Sequence, residues 1–174
     1  MTHKNKKPLY FISGEDFYFI AYSALLVLEF FGGPTKRIKD HRKITYLIQF
    51  LSDERLVGIL ARTQDKLIAN PADRELLFGS FTDAELHKRE VYKILLSLER
   101  KGYIAIQRTD LAEVLDVTLI SESLPEDFFK SAQFYKERKN AEDLKRLVPR
   151  MSMLGFDSLL SRLYKDRGVR VWAS

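Results

Sequence analysis

Residues 82–120 read TDAELHKREVYKILLSLERKGYIAIQRTDLAEVLDVTLI. This stretch decides the fold. Thr82 or Asp83 offers a side-chain oxygen to an orphan backbone N–H, which predicts a helix start there. Val91, Ile94, Leu95 and Leu98 recur at helical spacing and make one apolar face. Gly102 after Lys101 is placed to end that helix in the left-handed conformation. Tyr103 to Arg108 and Glu113 to Ile120 are rich in β-branched and aromatic residues, with Thr109 to Ala112 between them. Ile104 and Ile106 share one strand face, as do Leu115, Val117 and Leu119, so a hairpin can lay its apolar side on the helix. Helix, short turn and hairpin form the second half of a winged helix-turn-helix. Some such units read DNA and others dock proteins.

Working outward, 174 residues are enough to bury a substantial core. Ser13-Gly14-Glu15-Asp16 has the form of a helix start, and the helix from about Glu15 to Phe31 is apolar nearly all round. Gly32-Gly33-Pro34 ends it. A second helix is predicted over Lys36 to Leu51. A third, capped by Ser52-Asp53, runs from Glu54 to about Arg62. Asn70-Pro71 reads as a turn, and Ala72 to Gly79 as a helical turn with Leu76, Leu77 and Phe78 inward. Beyond Ser121 to Pro125, Leu124-Pro125-Glu126-Asp127 predicts a helix start, amphipathic through Phe128, Phe129, Ala132, Tyr135, Leu144 and Leu147 and stopped by Pro149. A last helix covers about Phe156 to Lys165. The predicted class is mainly α with a small β-hairpin. A basic flexible tail (1–12) precedes a winged-helix domain (13–121) and a C-terminal helical extension (122–174).

Composition excludes several chemistries. With no cysteine there is no disulfide framework, thiolate metal site or cysteine nucleophile. Lys4, Lys6 and Lys7 precede apolar residues, but Ser13 to Asp16 interrupt the run, and Phe17 to Phe31 is short for a bilayer and carries Glu29. A soluble, cytoplasmic protein is expected. Gly32-Gly33 lacks the Lys-Ser/Thr of a phosphate-binding loop. His3, His41 and His87 have no second ligand at metal spacing. Asp40 and His41 are adjacent and do not face each other on a helix, so His41 is expected to be partly solvated rather than one half of an acid–base pair. Asp127, Glu137 and Lys139 echo an acidic-x-Lys metal nuclease, but that chemistry needs adjacent strands and this stretch reads as helix. No enzyme activity, cofactor or metal is expected.

The net charge of +5 permits nucleic-acid contact without demanding it. Arg89, Lys93 and Arg100 on the outer side of the helix before the hairpin suit DNA, whereas Tyr92 and Leu96, four apart, form an apolar pair that suits another protein. The tip of the hairpin holds Asp110 and Glu113, with Asp116 nearby, and Arg108 alone does not offset them against a phosphate backbone. Lys36, Arg37, Lys39, His41, Arg42 and Lys43 cluster around the predicted start of the second helix. This cluster, with Arg89 and Lys93, is read either as a nucleic-acid or acidic-partner patch or as a solvated basic helix face. Phe17, Tyr18, Tyr92, Leu96, Phe128, Phe129 and Tyr135 are the candidate protein-interface residues.

The apolar first helix, then Lys36-Arg37-Ile38-Lys39-Asp40-His41-Arg42-Lys43, then Ile44 to Ser52 and the unit ending near Ile120, resembles the middle component of bacterial ABC-three-component systems, the group that includes Lamassu-type anti-phage defence. The resemblance covers about residues 13–121. It implies a non-catalytic winged-helix adaptor in a hetero-oligomer, docking on an SMC-like ATPase and helping to hold an effector nuclease inactive until foreign DNA is sensed. It implies that ATP and nuclease chemistry sit on the other subunits. The alternative is a DNA-binding winged-helix transcriptional regulator.

Overall fold

The computed structural model describes residues 14–64 and 67–172. The basic tail (1–12) and the Ser13 cap expected from the sequence lie outside the described residues. Among the described residues there are seven α-helices and three short strands in one antiparallel sheet. No described helix is long and apolar enough to cross a membrane.

Helix α1 (Gly14–Phe31) is the axis of the core. Its residues Ala21 to Leu28 are all buried, as its all-round apolar sequence requires. Around it pack α2 (Arg42–Ser52), α5 (Lys88–Arg100) and α6 (Tyr135–Leu147). Gly32 stops α1. Its N–H donates to the Leu28 carbonyl at 3.0 Å, and its own carbonyl accepts from Arg37 N–H at 3.0 Å. The chain therefore doubles back at once. A Cβ on Gly32 would lie 2.5–2.7 Å from backbone atoms of Leu28, Lys36 and Arg37, so only glycine fits.

The second helix begins later than its sequence predicts. Residues 36–41 are not helical, because Lys36 and Asp40 hold positive φ and Arg37–Ile38 form strand β1. β1 pairs with β3 (Leu115–Leu119), which also pairs with β2 (Ile104–Arg108), giving the order β1-β3-β2. The expected two-stranded hairpin is thus a three-stranded sheet. The Asp116 carboxylate accepts from the Arg37 guanidinium at 2.7 Å and from Asp40 N–H at 3.0 Å. These bonds come from a strand far along the chain, and they outweigh the local helical pattern.

Helix α3 (Glu54–Thr63) starts as its sequence predicts, with the Asp53 side chain accepting from Arg55 N–H at 3.0 Å. The next expectation fails. Helix α4 (Pro71–Leu86) is 16 residues long, capped by Asn70, and runs straight through Gly79, Thr82 and Asp83. Thr82 caps nothing; its hydroxyl bonds back to the Gly79 carbonyl at 2.8 Å. The reason is burial. Leu77, Phe81 and Ala84 are sealed in the core, where Phe81 meets Tyr46 and Tyr164 edge-on or stacked. The helix breaks at His87, and α5 starts at Lys88. Gly102 has φ +84, the left-handed conformation its position predicts.

Between β3 and α6 the predicted continuous helix is replaced by short 3-10 turns at Phe128–Lys130 and Ala132–Phe134. These turns bring Phe128, Phe129 and Phe134 around the ring of Tyr22, at centroid distances of 5.3, 6.0 and 3.8 Å. An uninterrupted helix would point residues 128 and 134 in different directions. Ala141 and Leu144 of α6, and Leu159, Leu160 and Leu163 of α7 (Phe156–Leu163), belong to the same core cluster as α1 and α2. The predicted end of α7 at Lys165 becomes a 3-10 turn, Lys165–Arg167. Asn140 donates to the Leu51 carbonyl at 2.8 Å, tying α6 to the end of α2.

Gly32 and Gly102 separate two kinds of glycine constraint. Gly32→Ala is expected to cost about 1–3 kcal/mol through overpacking. Gly102→Ala, with open space around it, should cost only the left-handed penalty of about 1–2 kcal/mol. Urea denaturation should show lower midpoints with unchanged slopes.

Candidate docking face on helix α5 and the hairpin

Helix α5 has two sides of different character. Val91, Ile94, Leu95 and Leu98 are buried against the core, with α1 as the main neighbour. Opposite them, Arg89, Tyr92, Lys93, Leu96 and Arg100 follow one another at helical spacing. Tyr92 is 37% exposed and Leu96 half-buried, and neither belongs to the core cluster. Arg89, Lys93 and Arg100 are exposed and make no ion pair with another described residue.

Two of the acids around this helix turn the other way. Glu99 accepts from Ile106 N–H at 3.2 Å and joins α5 to β2. Glu85 pairs with Lys88 at 2.9 Å and accepts a hydrogen bond from the Tyr46 hydroxyl. Burial and the Glu85 carboxylate together push the Tyr46 hydroxyl pKa well above its ordinary value. The outward stripe of α5 is therefore an apolar pair with cations at both ends.

The hairpin tip adds an exposed Leu111, 65% accessible, between Asp110 and Glu113. Thr109 organises the tip by donating to the Val114 carbonyl at 2.9 Å and accepting from Leu111 N–H at 3.2 Å. Asp116 does not join the tip acids as the sequence suggests. It faces β1 and is spent on Arg37 and Asp40. Burial raises its pKa, but Arg37 and the Asp40 N–H outweigh that and leave the carboxyl below its ordinary value.

The basic cluster of residues 36–43 is mostly turned to internal use. Lys36 pairs with Glu29 at 3.2 Å and donates to its carbonyl. Arg42 makes a two-point bond to Asp40 and lies 4.1 Å above the ring of Phe156. Lys43 is buried with its ammonium on the Leu154 carbonyl, and burial lowers its pKa. Together with Arg37, four of the five cations predicted there hold the fold, and Lys39 alone is exposed. The Asp40 side chain also accepts from Arg42 N–H at 3.1 Å, so the start of α2 already has its anion.

The other predicted interface residues are dispersed. Phe17 is half-buried against the core, and Tyr18 beside it is 70% exposed. Phe128 and Phe129 are half-buried on Tyr22, and Tyr135 is exposed at the start of α6. Sequence reading missed the exposed Leu86 at the end of α4, because it placed Leu86 within a helix beginning at Thr82.

His41 is the other surprise. It is buried rather than partly solvated. Its N–H donates to the Leu115 carbonyl at 2.7 Å, and its ring Nδ1 accepts from Leu115 N–H at 3.1 Å. Its ring also lies 5.6 Å from that of Tyr92. No local signal announces this, since Leu115 is 74 residues away.

Of the nuclease-like trio, Glu137 and Lys139 lie on α6, where Lys139 pairs with Asp143 at 3.3 Å. Among the described residues no three His, Cys, Asp or Glu gather where they could hold a metal ion. No protein-family model matches the chain, and neither a curated protein nor a solved structure matches it.

Burial holds the His41 pKa below its ordinary 6.5, against the pull of Asp40. The unfolded chain therefore takes up this proton first as the pH falls. The His41 contribution to stability is complete above about pH 6.5 and is lost as the pH drops through the folded value. A protonated ring also cannot accept from Leu115 N–H if Nδ1 carries the proton. His41→Ala should cost about 1–3 kcal/mol at pH 8 by leaving a buried N–H unpaired. It should also flatten the dependence of the urea midpoint on pH between 7 and 5; an unchanged slope would count against the assignment.

Proposed function

We propose that this protein is a non-catalytic winged-helix adaptor of a multi-subunit anti-phage defence complex. In this reading it docks on an SMC-like ATPase through α5 and the hairpin. It helps to hold or release an effector when foreign DNA is sensed. The element order helix–strand–helix, then helix–strand–strand, with the sheet order β1-β3-β2, supports a winged-helix reading, with α3 and α4 extending the middle of the unit. The observation that carries the docking role is the Tyr92–Leu96 pair, which stands outside the core on the helix that precedes the hairpin. The partner's identity rests on the resemblance of residues 13–121 to the middle components of ABC-three-component systems.

A second reading, a DNA-binding regulator, draws on the exposed Arg89, Lys93 and Arg100. It predicts a discrete footprint on duplex DNA, lost on Arg89→Ala and Lys93→Ala. Against it stand two apolar side chains where base edges need polar ones, and two acids at the tip that would meet phosphate.

Tagged protein expressed with its native genomic neighbours should recover an SMC-like ATPase in stoichiometric amount. Tyr92→Asp combined with Leu96→Asp should reduce that recovery at least tenfold while circular dichroism and the urea midpoint stay near wild type. Undiminished recovery would remove α5 from the interface. Recovery of this chain alone, with a discrete DNA footprint, would replace the adaptor by the regulator.

A further inference from the structure

The proposed docking face also specifies what it receives. The outward stripe Arg89, Tyr92, Lys93, Leu96, Arg100 covers three turns of α5, roughly 16 Å at the ordinary helical rise. Its middle is apolar and its flanks are cationic. Three acids near the stripe are engaged elsewhere, Glu85 with Tyr46 and Lys88, Glu99 with the β2 backbone and Asp116 with Arg37, while Glu90 in the first turn of α5 has a carboxylate oxygen buried without a hydrogen-bond partner. Arg89, Lys93 and Arg100 thus have no ion-pair partner among the described residues, while Lys36, Arg37 and Arg42 are paired.

We infer that α5 receives an amphipathic helix of a partner protein whose apolar ridge is bordered by aspartates or glutamates. This deepens the adaptor reading above and rests on it. A helix is the occupant that matches. Tyr92 and Leu96 form an i, i+4 ridge, and such a ridge seats between the i, i+3 and i, i+4 rows of a second helix. The partner's acids then meet Arg89, Lys93 and Arg100 at the rim, where opposite charges set orientation and encounter rate. A phosphate backbone would satisfy the cations but would leave Tyr92 and Leu96 facing a polar groove and would bring Asp110 and Glu113 against like charge.

The test is zero-length cross-linking of the complex recovered with the full chain. A water-soluble carbodiimide joins a lysine amine to a carboxylate only where the two are in direct contact. Peptide mass spectrometry should find Lys93 joined to an Asp or Glu of the partner, in a segment with apolar residues at i, i+3, i+4 and i+7. The double change Arg89→Glu, Lys93→Glu should lower recovery of the complex at least tenfold at low salt. The control Lys145→Glu, Lys165→Glu, at exposed positions on and beyond α6 and α7, should leave recovery unchanged. A complex that forms normally with Lys93 unlinked and the charge reversal silent would overturn the acidic helix while leaving the adaptor reading intact. Linkage to a partner segment without that apolar spacing would overturn the helix as occupant. If no protein partner is recovered, and duplex DNA instead protects Lys93 from acetylation, both readings fall together.

Discussion

The double hydrogen-bonded seam between residues 36–41 and strand β3 is the constraint on which the rest depends. Leu119 N–H donates to the Lys36 carbonyl at 2.9 Å, Arg37 and Ile38 pair with Thr118 and Val117, and His41 exchanges two bonds with Leu115. Asp116 closes the seam from its side chain through Arg37 and Asp40. A two-stranded hairpin alone is marginal in water. This third edge gives β3 partners on both sides and decides where α2 can begin. It also fixes the hairpin relative to α1, since Val117 and Leu119 then sit in the common core. Helix α5 is bound to the same assembly by Glu99 and by the buried stripe Val91 to Leu98.

What could be read from the sequence follows from how local each signal is. The all-round apolar α1, the Asp53 cap of α3, the core stripe of α5, the Gly102 stop and the alternation of β2 and β3 are properties of a few neighbouring residues, and each is present in the structure. Strand β1 was illegible because only two residues pair, and their partners lie some 80 positions away. The continuity of α4 was hidden by Thr82 and Asp83, which carry capping chemistry but lie in a helix held by Phe81. The predicted helix over residues 125–134 failed for a related reason: three phenylalanines gather on Tyr22, and no regular helix presents all of them to one ring. In each case long-range contacts, by burial or by hydrogen bonding, overruled a local preference worth only tenths of a kcal/mol to about 1 kcal/mol per residue.

The candidate site divides in the same way. Tyr92 and Leu96 were legible because helical periodicity alone assigns them to the side away from the core. The basic run 36–43 was misleading because a sequence shows charge but not its partner. Arg37, Arg42, Lys36 and Lys43 have internal acceptors, three of them carboxylates and one a carbonyl. Counting cations in a window therefore overstates how much unpaired charge the surface carries.

The seam and the face meet at His41. The same imidazole that accepts from Leu115 N–H lies against the ring of Tyr92, so one side of the exposed tyrosine is backed by a buried, hydrogen-bonded group. A side chain held in this way loses less rotamer freedom on association than a free one, where each immobilised side chain costs about 0.5–1.5 kcal/mol. The hairpin is joined to the same histidine through Leu115, so its tip and the α5 stripe are fixed relative to one another by a short chain of contacts rather than by a loop. That arrangement gives a reason for burying a histidine here: the ring supplies an acceptor to β3 on one side and an aromatic support to Tyr92 on the other, which an aliphatic residue could not do together.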